Sequence, residues 1–201
     1  VSKGAKLIVL PEMALAGYVF HDSLWAMGEP LKGKTFVFLK ALCITHNIFL
    51  GTCILEKTGE DFFDTFILVG PGDDDFWSHR KIEPAAYEAY FFKGGGLNPN
   101  VFDTPVGRVG ISICFDSSKT HTLSSMIDRL PEILLITYSC PELPRFMLQG
   151  DRKNWVDVYV KTAAIYSGIL PIPLVISNKT GDFASPLPGI PLLRANTEFL
   201  G

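Results

Sequence analysis

The sequence predicts a globular protein of the α/β class, in which strands and helices alternate along the chain. Short uninterrupted apolar runs, LIVL in residues 6–10 and EILLIT in 132–137, are typical of strands buried on both faces of a sheet. Helical patterns over 33–46, 119–129 and 152–166 separate such runs. Hydrophobic residues make up 47% of the 201 residues and charged residues 19%, which favours one well-buried core.

The first half of the chain is predicted to hold one strand, one helix and three further strands. The strand at 6–10 closes at Pro11, so that Glu12 lies at its carboxyl end. The amphipathic helix over 33–46 is expected to end near Asn47. Strands follow at 48–55, 62–69 and 76–82, and the last of these carries His79, Arg80 and Lys81.

The second half alternates strands and helices after an aromatic-rich helical turn at 84–92. Strands are expected at 101–104, 108–113, 132–137 and 172–177, the last being the final clear strand of the chain. Residues predicted near the inner face of the helix over 152–166 are Trp155, Val158, Ile165 and Tyr166. Residues 1–6 are interpreted as the end of a helix, and the chain as an internal piece of a longer protein, because there is no initiator Met.

Charge and cysteine usage exclude several classes of function. The net charge of −3 gives no attraction to nucleic acid or to an anionic membrane. The apolar stretch 167–177 is too short and too interrupted by glycine and proline to span a bilayer. The widely spaced cysteines are interpreted as reduced thiols of a cytoplasmic protein, and no metal-ligand spacing links them to the histidines. These cysteines are Cys43, Cys53, Cys114 and Cys140.

A reactive thiol is indicated where the strand at 108–113 ends. Cys114 follows this strand directly, and Phe115 and Asp116 lead into a helix. Open α/β sheets place their chemistry at the carboxyl ends of strands, where backbone N–H groups can hold a negative oxygen. Taken alone, the pattern also fits a small buried hydrophobe, the usual role of a free cysteine.

Two charged residues at other strand ends complete a set of groups suited to acyl transfer. A carboxylate such as Glu12 can take the proton of a thiol and return it to a leaving amine. An ammonium such as Lys81 can stabilise the oxyanion of a tetrahedral intermediate. The sequence therefore favours Cys114, Glu12 and Lys81 as nucleophile, base and oxyanion partner.

Three segments resemble the nitrilase superfamily of carbon–nitrogen hydrolases: KLIVLPE at 6–12, HRK at 79–81 and GISICFD at 110–116. They occur in the order of that family, whose Glu, Lys and Cys have the three roles given above. The segment YEAYFF at 87–92 resembles the one that holds the family's second glutamate. The resemblance places this glutamate at Glu88, with Glu83 as the alternative.

The resemblance also implies a fold, partners and a reaction. It implies one domain over 1–201, a four-layer αββα sandwich that is incomplete at both ends, without metal or organic cofactor, and a homodimer or higher homo-oligomer. The expected substrate is a small molecule with an amide, carbamoyl or nitrile group, and Cys-Phe-Asp favours the first two. The N–H of Phe115 is expected at the oxyanion, and Tyr87 beside the substrate or in packing. Alternatives are a catalytically silent binding module and an acyltransferase.

Three neighbouring groups receive lesser roles. Cys140, which follows the strand at 132–137, is interpreted as a structural thiol, although it could line the mouth of the pocket. His79 and Arg80 are expected to be ordinary surface residues. Asp116 is expected to support the turn rather than to react.

Overall fold

The structure, a computed structural model, describes residues 3–19, 21–140, 153–187 and 190–200. Within these ranges the strands form two four-stranded sheets and one two-stranded ribbon, and helices lie between them in the chain. This arrangement confirms the predicted α/β class.

The first sheet is built by the N-terminal half of the chain. Its strands are β1 (Leu7–Val9), β2 (Phe49–Thr58), β3 (Asp61–Val69) and β4 (Phe76–Arg80), in that order. β1 runs parallel to β2, and the other pairs are antiparallel. Helix α1 (Lys34–His46) forms the crossover between β1 and β2, and it ends at Asn47 with a left-handed φ of 50°. A single helical turn, α2 (Glu88–Phe91), follows β4.

The second sheet contains the strand that ends at Cys114. Its strands are β5 (Val101–Thr104), β6 (Gly107–Ile113), β7 (Ile133–Thr137) and β8 (Leu174–Ser177), in that order. β6, β7 and β8 are parallel, and helices α3 (Thr120–Arg129) and α4 (Lys153–Ile169) connect them. The carboxyl ends of three neighbouring strands therefore lie at one edge of this sheet.

Alternation along β2 and β3 shows how the layers stack. Phe49, Cys53 and Phe66 belong to the cluster that contains the buried side chains of β6 and β7. Their neighbours on the opposite face, such as Leu50 and Ile67, pack against α1 instead. Met126 of α3 and Tyr159 and Tyr166 of α4 complete the first cluster. The order helix, sheet, sheet, helix is the four-layer sandwich that the sequence predicts.

One prediction about the C-terminal region and one about the first residues of the sequence are wrong. An antiparallel ribbon of β9 (Thr180–Leu187) and β10 (Ile190–Leu200) follows β8, where the sequence predicts no further strand. The sequence pattern does not predict this ribbon because it contains Pro186 and Pro191, and proline within a run of residues argues against a strand. Among residues 3–6, the described backbone forms turns and coil rather than a helix end.

The buried face of α4 agrees with its prediction at Tyr166 and differs from it at Val158 and Ile165. Val158 and Ile165 are largely exposed, whereas Tyr159, Thr162 and Tyr166 are buried. The side chain of Trp155 lies outside the described residues. The observed face has a spacing of three and four residues, as expected for one helix side against a sheet.

Replacing two glycines by alanine tests the packing, because the two substitutions should change the free energy of unfolding in opposite directions. A Cβ at Gly51 in β2 would lie 2.5 Å from Cζ of Phe66, whereas a Cβ at Gly168 in α4 would meet nothing within 4 Å. We expect Gly51→Ala to lower the free energy of unfolding by about 1–3 kcal/mol through overpacking. The control Gly168→Ala should raise it by about 0.5–1 kcal/mol, because alanine favours the helix. Urea denaturation followed by circular dichroism measures both, and equal stability of the two variants would contradict this packing.

Candidate active site

Glu12 lies where the first sheet meets the second. It follows β1 and Pro11, and its side chain is fully buried. Its backbone N–H donates to the carbonyl oxygen of Tyr138, one residue beyond β7, at 3.2 Å. This bond ties the end of β1 to the end of a strand in the opposite sheet.

Lys81 places a buried ammonium among carboxylates. Its Nζ donates to Oε1 of Glu12 at 2.7 Å and to Oε2 of Glu88 at 2.6 Å, and Oδ2 of Asp64 lies 3.8 Å away. The backbone N–H of Lys81 continues the β3–β4 ladder by donating to the carbonyl of Asp64. Burial favours the neutral amine and so lowers the pKa of Lys81. The surrounding anions favour the ammonium more strongly, and the pKa is raised overall.

The structure distinguishes between Glu88 and Glu83, the two candidates for the second glutamate of the site. Glu88 is 1% exposed, and besides Lys81 it accepts hydrogen bonds from Tyr18 Oη at 2.5 Å and the N–H of Ala85 at 2.6 Å. Glu83 has a side chain that is 46% exposed and forms an ion pair with Lys119. Glu88 is thus the glutamate that contacts Lys81, and burial raises its pKa despite that ammonium.

Cys114 occupies the turn between β6 and a 3-10 helix (Cys114–Ser118). Its φ of 47° is left-handed, a conformation that costs a non-glycine residue about 1–3 kcal/mol. Ser117 Oγ donates to the carbonyl of Cys114 at 2.7 Å, and the hydroxyls of Ser117 and Tyr138 lie 2.7 Å apart. Because serine has one proton to give, Tyr138 is the donor in that second bond.

The thiol of Cys114 is electrostatically coupled to the rest of the cluster. Its pKa is raised first by a hydrogen bond to Cys140, then by burial and by the charge of Glu12, while Lys81 acts in the opposite direction. A thiol with a raised pKa stays protonated at neutral pH, so its attack on a carbonyl needs a nearby base.

Asp116 holds the turn after Cys114 against the segment that follows Lys81. This fully buried carboxylate accepts the N–H of Ile82 at 2.7 Å and the N–H of Glu83 at 3.0 Å. Through these two bonds the end of the thiol-bearing strand fixes the backbone beside the ammonium.

Three groups that the sequence analysis did not select also belong to the cluster. Lys179 follows β8, and its Nζ donates to the carbonyl of Met13 at 3.2 Å. Burial lowers the pKa of Lys179 to about 8, against the charges of Glu12 and Asp64. Its position at a strand end is a signal that could have found it, as is the acidic Asp64 within the apolar run of β3. Tyr18 lies in a loop and has no such signal.

Three side chains depart from their predicted surroundings. His79 is buried, with Nδ1 3.0 Å from the carbonyl of Pro99, and burial lowers its pKa to about 4. Arg80 donates from Nε and Nη2 to the buried carboxylate of Glu56, at 2.8 and 2.5 Å. Neither is an ordinary surface residue, because partners distant in sequence cover both. The thiol of Cys140 lies 3.9 Å from Sγ of Cys114, so it belongs to the site.

The two aromatic residues predicted beside the substrate lie at a more open position. Tyr87 directly precedes α2 and is 48% exposed. The ring of Phe115 is 39% exposed, and Nζ of Lys119 lies 4.1 Å from its centroid. Their predicted roles at the substrate and the oxyanion stay predictions.

Within the described part of the chain, no group of three or more His, Cys, Asp or Glu side chains is arranged to hold a metal ion. Nor is any of the helices described long and apolar enough to cross a membrane.

Comparison with known proteins identifies the family. The family model for carbon-nitrogen hydrolases matches residues 1–150, three quarters of the chain. The chain belongs to the carbon-nitrogen hydrolase family. A solved carbon-nitrogen hydrolase from Helicobacter pylori G27 covers 98% of the chain with a TM-score of 0.79 at 20% identity, and the chain covers 68% of that structure. An amidase from Nesterenkonia sp. AN1 with acrylamide on its active-site cysteine gives a TM-score of 0.70 at 17% identity, over 100% of this chain and 73% of that one.

Curated relatives of this carbon-nitrogen hydrolase carry two kinds of name. A nitrilase of Pyrococcus abyssi is 32% identical over 57% of the chain and 44% of the relative. An N-carbamoylputrescine amidase of Arabidopsis thaliana is 22% identical over 90% of the chain and 62% of the relative. The chain therefore spans roughly half of the length of the curated relatives that it matches.

The buried carboxyl of Asp116 gives the stability of this protein a defined pH dependence. Burial raises its pKa to about 6, against the two backbone N–H groups, from an ordinary value near 3.9. The folded protein therefore holds this proton more tightly than the unfolded chain does. The stability due to this group should fall by about 2–3 kcal/mol as the pH rises from about 4 to 6.

Asp116→Asn removes that titration and provides the measurement. We expect the free energy of unfolding of the wild type, minus that of Asp116→Asn, to decrease over this pH window in urea titrations. Asp103→Asn, whose parent carboxylate is exposed, is the control and should show no such change. A difference in the free energy of unfolding between wild type and Asp116→Asn that is independent of pH would contradict a raised pKa for Asp116.

Proposed function

We propose that this protein hydrolyses a non-peptide C–N bond, in an amide or carbamoyl group of a small molecule, through an acyl-enzyme on Cys114. The observation that carries the proposal is the buried ammonium of Lys81, which donates to both Glu12 and Glu88 and whose charge opposes the rise in the pKa of the Cys114 thiol. Membership of the carbon-nitrogen hydrolase family supports this reaction class.

Glu12 is proposed as the general base. Lys81 holds Oε1 of Glu12, whereas the buried Oε2 has no hydrogen-bond partner among the described residues. A buried carboxylate oxygen with free lone pairs is costly unless a proton donor reaches it. The thiol of Cys114 is the proposed donor, and the thiolate formed by this transfer attacks the carbonyl carbon.

Lys81 is proposed to stabilise the oxyanion that this attack creates. An ammonium has three N–H donors, and Glu12 and Glu88 accept two of them. Among the described residues the third has no acceptor, because Asp64 at 3.8 Å lies beyond hydrogen-bond distance. The N–H of Phe115, which directly follows the nucleophile, is the proposed second donor.

The remaining steps return the site to its starting state. Glu12 gives its proton to the leaving nitrogen, the C–N bond breaks, and ammonia or an amine departs from a thioester on Cys114. A water molecule then transfers a proton to Glu12 and attacks the thioester carbonyl. Collapse of this second intermediate releases the carboxylic or carbamic acid, and the proton returns to the thiol.

The choice of amide or carbamoyl substrates rests on two supports. Relatives named N-carbamoylputrescine amidase align with 89–90% of the chain, against 57% for the archaeal nitrilase. The sequence Cys-Phe-Asp after β6 also favours amides over nitriles within the resemblance described above. An ammonia-release screen of the full-length protein with amides, ureido acids and nitriles discriminates these classes. Activity on nitriles alone would overturn the substrate class, and no turnover would favour a silent binding module.

Replacing the nucleophile tests the covalent step. We expect Cys114→Ala to lower kcat/KM by a factor of about 10³ or more, because it removes the sulfur on which the acyl-enzyme is proposed to form. Mass spectrometry of the intact protein after mixing with substrate should detect the added acyl group in wild type and not in this variant. Cys43→Ala is the control, because Cys43 lies between α1 and the first sheet and donates to Val69. Equal turnover by Cys114→Ala would contradict the mechanism.

The two glutamates near Lys81 provide a matched pair of variants. Glu88→Gln removes one anion beside Lys81, so that the ammonium binds Glu12 more tightly and weakens it as a base. We expect kcat/KM to fall by roughly 10²-fold, as for other buried electrostatic partners. Glu83→Gln changes an exposed ion pair and should stay within about twofold. Thermal denaturation checks that both variants fold, and an equal effect of the two changes would contradict a role for Glu88.

A further inference from the structure

The Cys114 thiol has a second thiol beside it. Sγ of Cys114 and Sγ of Cys140 are 3.9 Å apart, and neither cysteine is in a disulfide. β6 and β7 are adjacent parallel strands with Ile113 opposite Thr137, so both cysteines lie just beyond the carboxyl ends of paired strands. The proposed hydrolytic steps use only one of these sulfurs.

We infer that Cys114 and Cys140 form a reversible intramolecular disulfide, which makes this site a two-cysteine redox switch. The inference rests on the proposed function for its effect on hydrolysis, because a Cys114 sulfur bonded to Cys140 cannot attack a substrate. The formation of the bond itself depends only on the two thiols.

The movement needed to form this bond is small. The sulfurs must approach from 3.9 Å to about 2.05 Å, so each needs to move by only about 1 Å. The backbone N–H of Cys140 donates to Oδ1 of Asn178 at 3.1 Å, which anchors that residue to the end of β8. Rotation of the two side chains can therefore close the gap while the strands stay paired.

The hydrogen bond between the sulfurs prepares one of them for oxidation. The two thiols share this hydrogen bond, which is the main cause that raises the pKa of Cys114 and the main cause that lowers the pKa of Cys140. A thiolate reacts with peroxide far faster than a thiol does. The other two cysteines have different neighbours, since Cys43 donates to a backbone carbonyl and Sγ of Cys53 lies 3.5 Å from Oγ1 of Thr137.

Hydrogen peroxide is the oxidant in the proposed chemistry. Either thiol, Cys140 or Cys114 once Glu12 has taken its proton, attacks the O–O bond as its thiolate. A sulfenic acid forms, and the hydroxide released takes up the lost thiol proton as water. The other sulfur then attacks the sulfenic sulfur, the S–O bond breaks, and the hydroxyl leaves as water with the proton of that second thiol. Two thiols and one peroxide thus give one disulfide and two waters, with two electrons passing from sulfur to peroxide. A dithiol reductant such as dithiothreitol reverses the change.

The pairing also limits irreversible damage. A cysteine without a neighbouring thiol continues from sulfenic to sulfinic acid, which dithiothreitol does not reduce. A neighbouring thiol at 3.9 Å diverts the sulfenic acid into a disulfide. The second cysteine therefore decides whether lost activity can be recovered.

The test treats the full-length wild type, Cys140→Ala and Cys43→Ala with a small excess of hydrogen peroxide, and then with dithiothreitol. We expect wild type and Cys43→Ala to lose activity at least about tenfold, to lose two titratable thiols, and to recover on reduction. Non-reducing peptide mapping should find Cys114 linked to Cys140. Cys140→Ala should recover less than about a tenth of its own starting activity, with Cys114 as sulfinic acid. Cys140→Ser provides the same measurement if the alanine variant does not fold.

Two results would overturn the inference: sulfinic acid on Cys114 of the wild type without a linked peptide, or equal recovery in wild type and Cys140→Ala. The peptide map keeps these failures separate from failure of the proposed function. A linked peptide in a protein without amidase activity would support the disulfide and reject the hydrolytic proposal. An active enzyme that forms no linked peptide would support the hydrolytic proposal and reject the disulfide.

Discussion

A single buried ammonium, that of Lys81, determines much of the structure around the site. Removing an ion from water costs several kcal/mol, and only close partners of opposite charge offset that cost. Glu12 and Glu88 supply these partners from segments on either side of Lys81 in the chain. Each of these carboxylates is itself buried, so the loss of any one member leaves another charge without compensation.

These charges come together because the residues that carry them lie near the ends of strands in the sandwich. Glu12, Lys81 and Cys114 each follow a strand, and Asp116 then fastens the third strand end to the backbone after the second. Layers of apolar side chains on both faces keep the strands in register but leave their ends free for polar groups. Asp64 is the exception, because it lies within a strand. Burial and the charge of Glu12 raise its pKa, which favours its neutral form.

The sequence predicted the parts of the fold and site that depend on local pattern. Apolar runs that stop before Glu12 and at Cys114 located the ends of β1 and β6, whereas the strand predicted at 76–82 extends two residues beyond the end of β4 at Arg80. The choice between Glu88 and Glu83 needed the α2 turn, because both lie within seven residues of Lys81 in the chain. Spacing alone could not decide which one turns inward.

Features that depend on distant partners were not predictable in the same way. Cys140 lies three residues beyond β7, too far for the strand pattern to place its sulfur. The burial of His79 and Arg80 depends on Pro99 and Glu56, about twenty residues away on either side. The ribbon of β9 and β10 contains prolines. A proline is tolerated in a strand where no neighbouring strand needs the backbone N–H that proline lacks, and these positions depend on how the strands pair.

The bond from the Glu12 N–H to the Tyr138 carbonyl has a mechanical consequence, because it crosses from one sheet to the other. The proposed base, Glu12, is carried by one layer and the Cys114 sulfur by the other. A sliding movement of the layers by about 1 Å would stretch this bond beyond its tolerated length. The proposed proton transfer therefore depends on the alignment of the two sheets, and a distant substitution that shifts one sheet along the other would weaken it without contacting either residue.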